Sequence, residues 1–198
     1  MTCIEFFSQN SSNTQKCKLL QDIQGDILLR WELETASEHS PCPVKDTEYL
    51  YRQIISPIHY DEETNTLTPT AFDDASNKGL SVNRESYTTK NDISFKGIDR
   101  VNYFNANNPE KPQRTFSGVV RFYCYDIRQI TVNTEQGLSP VRGFCVYDTA
   151  LQDDVSHSDI CQIVKSKADG RSVRSKLRDL ANNFIALSHT SHTISKAE

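Results

Sequence analysis

Alternating and clustered apolar positions divide the chain into strand-like and helix-like stretches. YLYRQIISPIHY (49–60) is rich in Tyr and Ile, and its apolar run ends at Pro57, which is typical of an opening strand. GLSVNRE (79–85) predicts a second, short strand. The β-branched and aromatic residues of RTFSGVVRFYCYDIRQITVNTE (114–135) and VRGFCVYD (141–148), separated by a Gly-Leu-Ser-Pro turn, predict a central antiparallel pair.

Later stretches carry helical spacing or the composition of a loop. In SVRSKLRDLANNFIAL (172–187) apolar residues recur every three or four positions, as in an amphipathic helix. SHSDICQIVKSK (156–167) has Ser156 and Asp159 at capping-box spacing, which predicts that another helix begins there. Residues 86–113 are poor in aliphatic residues and end in NANNPEKPQ, so we predict a long irregular connection.

The N-terminal segment begins polar and then becomes apolar at helix-like spacing. In CKLLQDIQGDILLRWEL (17–33) Gly25 interrupts the pattern, leaving either a helix followed by a strand or one imperfect helix. We therefore divide the chain into an N-terminal arm with a helix or strand (1–45), a single domain (46–188) and a flexible tail (189–198). Strands in the middle and helices toward the ends predict an α+β fold, a mainly antiparallel sheet with helices packed on one side.

Charge and hydropathy narrow the partner classes. The chain of 198 residues has a formal net charge of −4 and a pI near 5.7, which gives no overall field for a polyanion. Basic residues cluster only within 165–178, where a solvated helix face accounts for them, so nucleic acid ranks last among the predicted partners. No apolar run approaches the roughly 20 residues of a membrane span, so no membrane partner is predicted.

Cysteine usage and the first residues predict the compartment. The six cysteines show no C-x-x-C spacing, and Cys124 and Cys145 lie in strand-like runs as small apolar residues. MTCIEFFSQN lacks the positive region and long apolar core of a secretory signal, so we expect a cytoplasmic protein with reduced thiols. His189 and His192 lack a third ligand, and we predict neither a metal site nor a cofactor.

Arg52 and His59 are the first candidate catalytic residues. Strand alternation puts Arg52 on the same face as Leu50 and Ile54, so its guanidinium needs either a structural carboxylate or an anionic ligand. His59 is followed by Asp61 and further carboxylates. These predict a pKa raised toward neutrality and a role in proton transfer, unless the ring is an exposed turn residue.

His157 is the third candidate catalytic residue. The predicted capping box places it at the first helical position, where a helix N-terminus favours a neutral imidazole beside an anionic ligand; alternatively the polar segment only starts a helix. Ser81, Asn83 and Arg84 are candidate ligand-binding residues. In a strand Ser81 and Asn83 share one face, whereas Arg84 points to the other.

The order of these segments resembles two groups of proteins. LYRQIISPIHYDEETNTLTPTAF, GLSVNRES and CVYDTALQDDVSHSDICQI together resemble a group of small, uncharacterised bacterial proteins, across residues 49–165. That resemblance implies no particular reaction. The chain also resembles ADP-ribosyltransferase-type toxins, in which an early strand Arg and a Ser on a second strand bind the dinucleotide. Arg52 in LYR and Ser81 in LSV match those positions, and Glu135 in VNTEQG is nearest to the toxins' E-x-E or Q-x-E glutamate.

Two function classes follow from these residues. In the first, the protein binds or processes a phosphate-containing nucleotide, NAD-like or RNA, in a bacterial toxin or defence system. Arg52 would hold the phosphate, Ser81 and Asn83 would contact the ligand, and His157 would donate or accept a proton. The alternative is a non-catalytic protein-interaction component of a defence, immunity or toxin-antitoxin module. The acidic balance and the long polar segment 86–113 favour that alternative.

Overall fold

A six-stranded antiparallel sheet forms the centre of the fold. The computed structural model describes residues 1–133 and 139–181 and, as backbone only, residues 184–186. From one edge to the other the strands are β10 (Phe184–Ala186), β5 (Thr115–Tyr123), β1 (Tyr49–Ser56), β4 (Leu80–Arg84), β9 (His157–Gln162) and β8 (Phe144–Tyr147). Two small ribbons pair β2 (Tyr60–Asp61) with β3 (Thr66–Leu67) and β6 (Thr131–Asn133) with β7 (Pro140–Arg142).

Helices pack against this sheet, so the predicted α+β class with a mainly antiparallel sheet is confirmed. In the described residues they are α1 (Cys3–Gln9), α2 (Lys16–Leu20), α3 (Gly25–Trp31), α4 (Lys90–Asn107), α5 (Cys124–Arg128) and α6 (Lys167–Leu180), with two 3-10 turns, η1 (Asp73–Ser76) and η2 (Glu85–Tyr87). None of these helices combines the length and apolarity needed to cross a bilayer.

The helices cover both faces of the sheet. Because side chains alternate along a strand and cross-strand partners share a face, each strand contributes to two separate cores. On one side, which we call the α6 face, the core includes Leu50, Val82, Ile160 and Val146 together with Val173 and Leu177 of α6. On the other side, which we call the α4 face, α4 covers Tyr51, Ile55 and Val119, and α1 to α3 cover Cys145, Tyr147 and Cys161.

The segment around His157 is a strand, so the prediction of a helix over 156–167 is wrong. Ile160 and Cys161 are both fully buried, yet they belong to the cores on opposite faces, which is the two-residue period of a strand. The apparent capping box is not formed. Ser156 donates instead to the carboxylate of Asp154, with an O–O distance of 2.5 Å.

The segment 86–113 holds the longest helix of the described residues, so the prediction of an irregular connection is wrong. The helix α4 begins with a capping box in which Thr89 and Asp92 each accept from the other's backbone N–H. Only a narrow stripe faces the sheet, with Ile93, Gly97 and Val101 buried at four-residue spacing. A helix that covers a sheet through one narrow stripe needs few aliphatic residues.

Strand pairing and two helix boundaries also differ from expectation. The strands β5 and β8 do not form a central pair, because β5 pairs with β1 and β10 while β8 lies at an edge beside β9. Helix α6 ends at Leu180, and Phe184 begins β10 instead of continuing the helical stripe. In the N-terminal arm, residues 17–33 contain α2 and α3, with α3 beginning at Gly25.

The strands β1 and β4 separate at the centre of the sheet. In the described residues they pair at Leu50–Arg84 and Tyr51–Asn83 and then part, whereas β1 pairs with β5 along its whole length. Beyond these pairs the guanidinium of Arg52 reaches across to β4, where Nη1 donates to the carbonyl oxygen of Ser81 at 3.1 Å. We call this opening between β1 and β4 the seam.

Candidate functional site

A cleft of about 250 Å³ opens beside the seam, and we call it the seam cleft. Its lining residues are Arg52, Gln53, Ser81, Asn83, Lys96, Arg100, Asp154 and His157. Four of the six predicted site residues therefore converge on one cleft: Arg52, Ser81, Asn83 and His157. Strands β1, β4 and β9 and helix α4 each contribute to it, so the fold has to form before the site exists.

Arg52 is buried and only partly satisfied. Its Nη2 lies 3.3 Å from His59 Nε2 and 3.7 Å from the Asp74 carboxylate, and its Nη1 is bound to Ser81. Its Nε has no acceptor among the described residues. Burial lowers the pKa of Arg52 to about 10, Asp74 counteracts this, and the charge of Arg100 adds to the decrease. The guanidinium still carries its charge at neutral pH.

His59 supports Arg52 and does not transfer protons at neutral pH. Burial, followed by repulsion from Arg52 and Arg100, lowers its pKa to about 3, so the predicted rise toward neutrality is wrong. The ring turns inward, where its Nδ1 lies 3.2 Å from the backbone N–H of Ile55, which donates to it, and its Nε2 faces Arg52. A neutral imidazole has one acceptor nitrogen, so the tautomer decides whether Nδ1 accepts from Ile55 or Nε2 accepts from Arg52. His59 therefore lies as an uncharged ring against the guanidinium of Arg52.

His157 is the candidate proton carrier. It begins β9 and pairs with Asn83, and its Nδ1 lies 2.9 Å from the carbonyl oxygen of Thr149. A carbonyl oxygen can only accept, so in the neutral ring Nδ1 carries the proton and Nε2 keeps a lone pair. The ring is partly exposed in the cleft, and Nε2 lies 4.0 Å from Asp159 Oδ1. A ligand hydroxyl or a water can give its proton to Nε2.

One carboxylate, Asp154, lies among the cationic side chains of the cleft. It accepts from Asn83 Nδ2 at 2.9 Å and from Lys96 Nζ at 3.0 Å, and it also receives Ser156. Burial opposes its ionisation, but the hydrogen bonds from Ser156 and Lys96 outweigh burial and lower the pKa of Asp154. Three cationic side chains, Arg52, Lys96 and Arg100, thus face a single carboxylate in the lining of the cleft.

Arg100 is the cation in the lining that lacks a partner among the described residues. It is exposed on α4, and it forms no ion pair or side-chain hydrogen bond with the described residues. Its charge contributes to the lowered pKa values of Arg52, His59 and Arg114, which shows that several positive groups repel one another here. Binding of an anion would relieve this repulsion.

Arg84 lies on the α6 face and does not reach the cleft, which corrects its assignment as a ligand-binding residue. It is fully buried, with Nε and Nη2 bound to the two carboxylate oxygens of Glu48 at 2.8 and 2.7 Å. Nη1 donates to Asp148 at 2.8 Å and to the carbonyl oxygen of Cys42 at 2.7 Å. With protein acceptors on all three nitrogens, Arg84 is a structural cation.

Four lining residues were not predicted from the sequence: Gln53, Lys96, Arg100 and Asp154. Lys96 and Arg100 were missed because their segment was predicted to be irregular. The signal that identifies them is the capping box at Thr89 and Asp92, after which a helix brings positions 96 and 100 onto one side. Glu135, His189 and His192 lie outside the described residues.

No protein-family model, curated protein or solved structure matches the chain. The two resemblances stated from the sequence therefore stay predictions, and the geometry of the cleft is the basis for a functional proposal.

Proposed function

We propose that the seam cleft binds the phosphate group of a nucleotide and that His157 exchanges a proton with the bound ligand. The convergence of Arg52, Lys96 and Arg100 on a cleft with one lining carboxylate, Asp154, is the observation that carries this proposal. Phosphate is anionic and rich in acceptor oxygens, so it matches a cationic cleft that also offers amide and hydroxyl donors.

Two donors are available for the phosphate. Arg100 is unpaired among the described residues, and Nε of the buried Arg52 has no acceptor there. An unsatisfied buried donor is costly in free energy, so a ligand oxygen that reached it would recover that cost. Ser81 lies beside these cations on β4 and would orient the ligand. Asn83 lines the same cleft, but its Nδ2 already donates to Asp154 and Ser156, so it would act by holding Asp154.

The geometry of His157 supports proton transfer more than simple binding. Its tautomer is set by the carbonyl oxygen of Thr149, which leaves Nε2 with a lone pair, and the residue lines the cleft where an anion would be held. This is the arrangement of a general base whose second nitrogen is held by a backbone acceptor. The resemblance to ADP-ribosyltransferase-type toxins favours NAD among nucleotides, and the two residues that carry it, Arg52 and Ser81, both line the cleft.

Titration calorimetry with NAD, RNA and pyrophosphate tests the binding step. We expect Arg100→Ala to weaken nucleotide affinity about tenfold or more, since a charge-assisted hydrogen bond contributes about 1.5–3 kcal/mol. Arg171→Ala is the matched control, because Arg171 is an exposed helical arginine on α6 outside the cleft lining. Absence of binding by all three ligands would overturn the proposal.

Mass spectrometry of NAD and RNA after incubation tests the chemical step. We expect product formation by the wild-type protein and its loss in His157→Gln, with nucleotide affinity changed by less than about threefold. Binding without turnover in the wild-type protein would refute the role of His157 and leave a nucleotide-binding module.

A protein-interaction function is the second candidate. It is favoured by three exposed apolar residues on α4, since Phe95 is 68%, Ile98 is 44% and Tyr103 is 74% exposed. If Phe95→Ser with Tyr103→Ser abolished cellular function while Arg100→Ala and His157→Gln left it intact, interaction would replace nucleotide chemistry as the function.

A further inference from the structure

A second and larger cavity adjoins the seam cleft at His157. It has a volume of about 610 Å³ and lies between α1, residues 36–39 and residues 149–152. The ring of His157 lines both cavities. A volume of 300–1,000 Å³ is typical of sites for whole small-molecule ligands, whereas the seam cleft has room for little more than a phosphate or pyrophosphate group.

The lining of this second cavity suits the uncharged part of a ligand. Its apolar walls come from Ile4, Phe7, Ala36, Ala150 and Leu151, and hydroxyl and amide groups come from Ser37, Thr149 and Gln152. Apolar walls with a few polar groups are typical of pockets that enclose a ring system and fix its orientation.

The two cavities carry opposite charge. Glu5, Glu38 and Asp159 line the second cavity with one cation, Lys16, which is already bound to Asp159 at 2.6 Å. Three carboxylates against one cation disfavour an anionic group there, whereas the seam cleft has three cations against one carboxylate. The charges therefore orient a ligand, with its anionic end in the seam cleft and a neutral or cationic end in the second cavity.

The boundary between the cavities offers acceptors for a ligand hydroxyl. The Nε2 atom of His157 and the Oδ1 atom of Asp159 lie 4.0 Å apart, while the other carboxylate oxygen of Asp159 is taken by Lys16 and Thr149. A group that donates hydrogen bonds, such as a sugar hydroxyl, fits between a phosphate on one side and a ring on the other.

We propose that the second cavity binds the nucleoside part of the ligand, so that one nucleotide spans His157 with its phosphate in the seam cleft. This inference rests on the proposed function, and it narrows the ligand to a phosphate ester that carries a neutral or cationic heterocycle.

The test compares pyrophosphate, AMP and NAD by titration calorimetry on the full chain. Ser8→Trp places a large side chain into the second cavity, because Ser8 is an exposed residue of its lining. Gln9→Trp is the matched control, an exposed neighbour on the same helix that does not line the cavity. We expect Ser8→Trp to weaken AMP and NAD binding at least tenfold and to leave pyrophosphate binding unchanged, with Gln9→Trp altering none of them.

The result for Arg100→Ala distinguishes a failure of this inference alone from a failure of the proposed function. If Ser8→Trp leaves AMP and NAD affinity unchanged while Arg100→Ala weakens it, the second cavity is not the nucleoside site and the proposed function stands. If Ser8→Trp weakens AMP and NAD binding while Arg100→Ala changes nothing, the seam cleft is not the phosphate site. That result would overturn both the proposed function and the inference that one nucleotide spans His157. Equal weakening of pyrophosphate and NAD by Ser8→Trp also overturns the division into two subsites.

Discussion

His59 and Arg52 meet in the interior with two nitrogen atoms 3.3 Å apart, and the contact requires a neutral imidazole. Protonation of His59 would place two cations side by side in a partly desolvated site. The folded protein therefore holds the pKa of His59 at about 3, against 6.5 in the unfolded chain. The pair therefore carries a single charge at neutral pH, that of Arg52.

This lowered pKa predicts a loss of stability on mild acidification. Below pH 6.5 the unfolded chain binds a proton at His59 before the folded protein does, so this contribution is complete above pH 6.5 and is lost toward pH 3. Between pH 7 and pH 5 the free energy of unfolding should fall by about 2 kcal/mol more in the wild-type protein than in His59→Asn. Urea unfolding at each pH measures it, and His39→Asn is the control at a more exposed ring. Equal slopes for the wild type and His59→Asn would contradict the prediction.

Arg84 provides a test at the opposite face of the sheet. Arg84→Met keeps an apolar stem but leaves Glu48 and Asp148 buried without their cation. The free energy of unfolding should fall by about 3–5 kcal/mol, and adding Glu48→Gln should recover part of the loss. Chemical unfolding with the single and double variants measures both effects. A loss below about 1 kcal/mol would refute the structural role given to this network.

Several candidate residues chosen from the sequence line the same cleft, but the sequence did not predict their protonation states. The hydropathy pattern identified Arg52 on a buried face and placed Ser81 and Asn83 on one side of a strand. It misjudged His59, because the carboxylates that follow it in the chain do not determine its pKa, whereas burial and Arg52 do. Such effects come from residues brought together by folding.

At the scale of elements, α4 lies unusually close to β5. A Cβ atom added to Gly97 would come within 2.3 Å of the Phe116 ring, so only glycine permits this approach. The approach also places Lys96 and Arg100, on the adjacent turns of α4, at the seam cleft. The close packing of Gly97 against Phe116 thus helps to position the side chains of Lys96 and Arg100.

Gly97→Ala should therefore destabilise the protein, although Gly→Ala within a helix normally stabilises by roughly 1 kcal/mol. The overlap with Phe116 should lower the free energy of unfolding by about 1–3 kcal/mol and weaken nucleotide binding, since α4 must shift outward. Gly25→Ala is the control, because its added Cβ meets no atom within 4 Å. Thermal unfolding and calorimetry of both variants check this, and a stabilised Gly97→Ala would contradict it.

Secondary structure was predicted correctly where a single local residue pattern determines it. The strands β1 and β4 were identified from alternation and from β-branched residues. The segment of β9 was misassigned because a spacing of Ser156 and Asp159 that suits a helix cap occurs by chance in a strand that is buried on both faces. Partner choice among strands depends on the path of the whole chain, and local composition does not contain it.

At the scale of the whole molecule, the solvent exposure of the cysteine side chains depends on whether the protein is folded. All six cysteines are free, and every one except Cys42 is fully buried. Burial raises the pKa values of Cys3, Cys124 and Cys145 to about 12, which suppresses their thiolates further. At Cys42, hydrogen bonds from Tyr87 and Arg84 lower the pKa instead.

A chromogenic thiol reagent should therefore react quickly with Cys42 in the native protein and with the other five cysteines only after unfolding. Cys42→Ser should remove the fast phase and leave the slow phase unchanged. The time course of absorbance, with and without denaturant, measures both phases. Fast labelling of two or more thiols in the native state would contradict the burial described for these five cysteines.

The seam gives the sheet a third edge, located in its interior. Outer edge strands tend to recruit strands of other chains, and proteins commonly guard them with inward-pointing charges. Arg52 is such a charge, because its guanidinium donates to the Ser81 carbonyl oxygen beyond the last pair of β1 with β4. The same side chain that we assign to phosphate thus satisfies a backbone acceptor of β4 inside the sheet, and an uncharged replacement would leave that carbonyl oxygen without this donor.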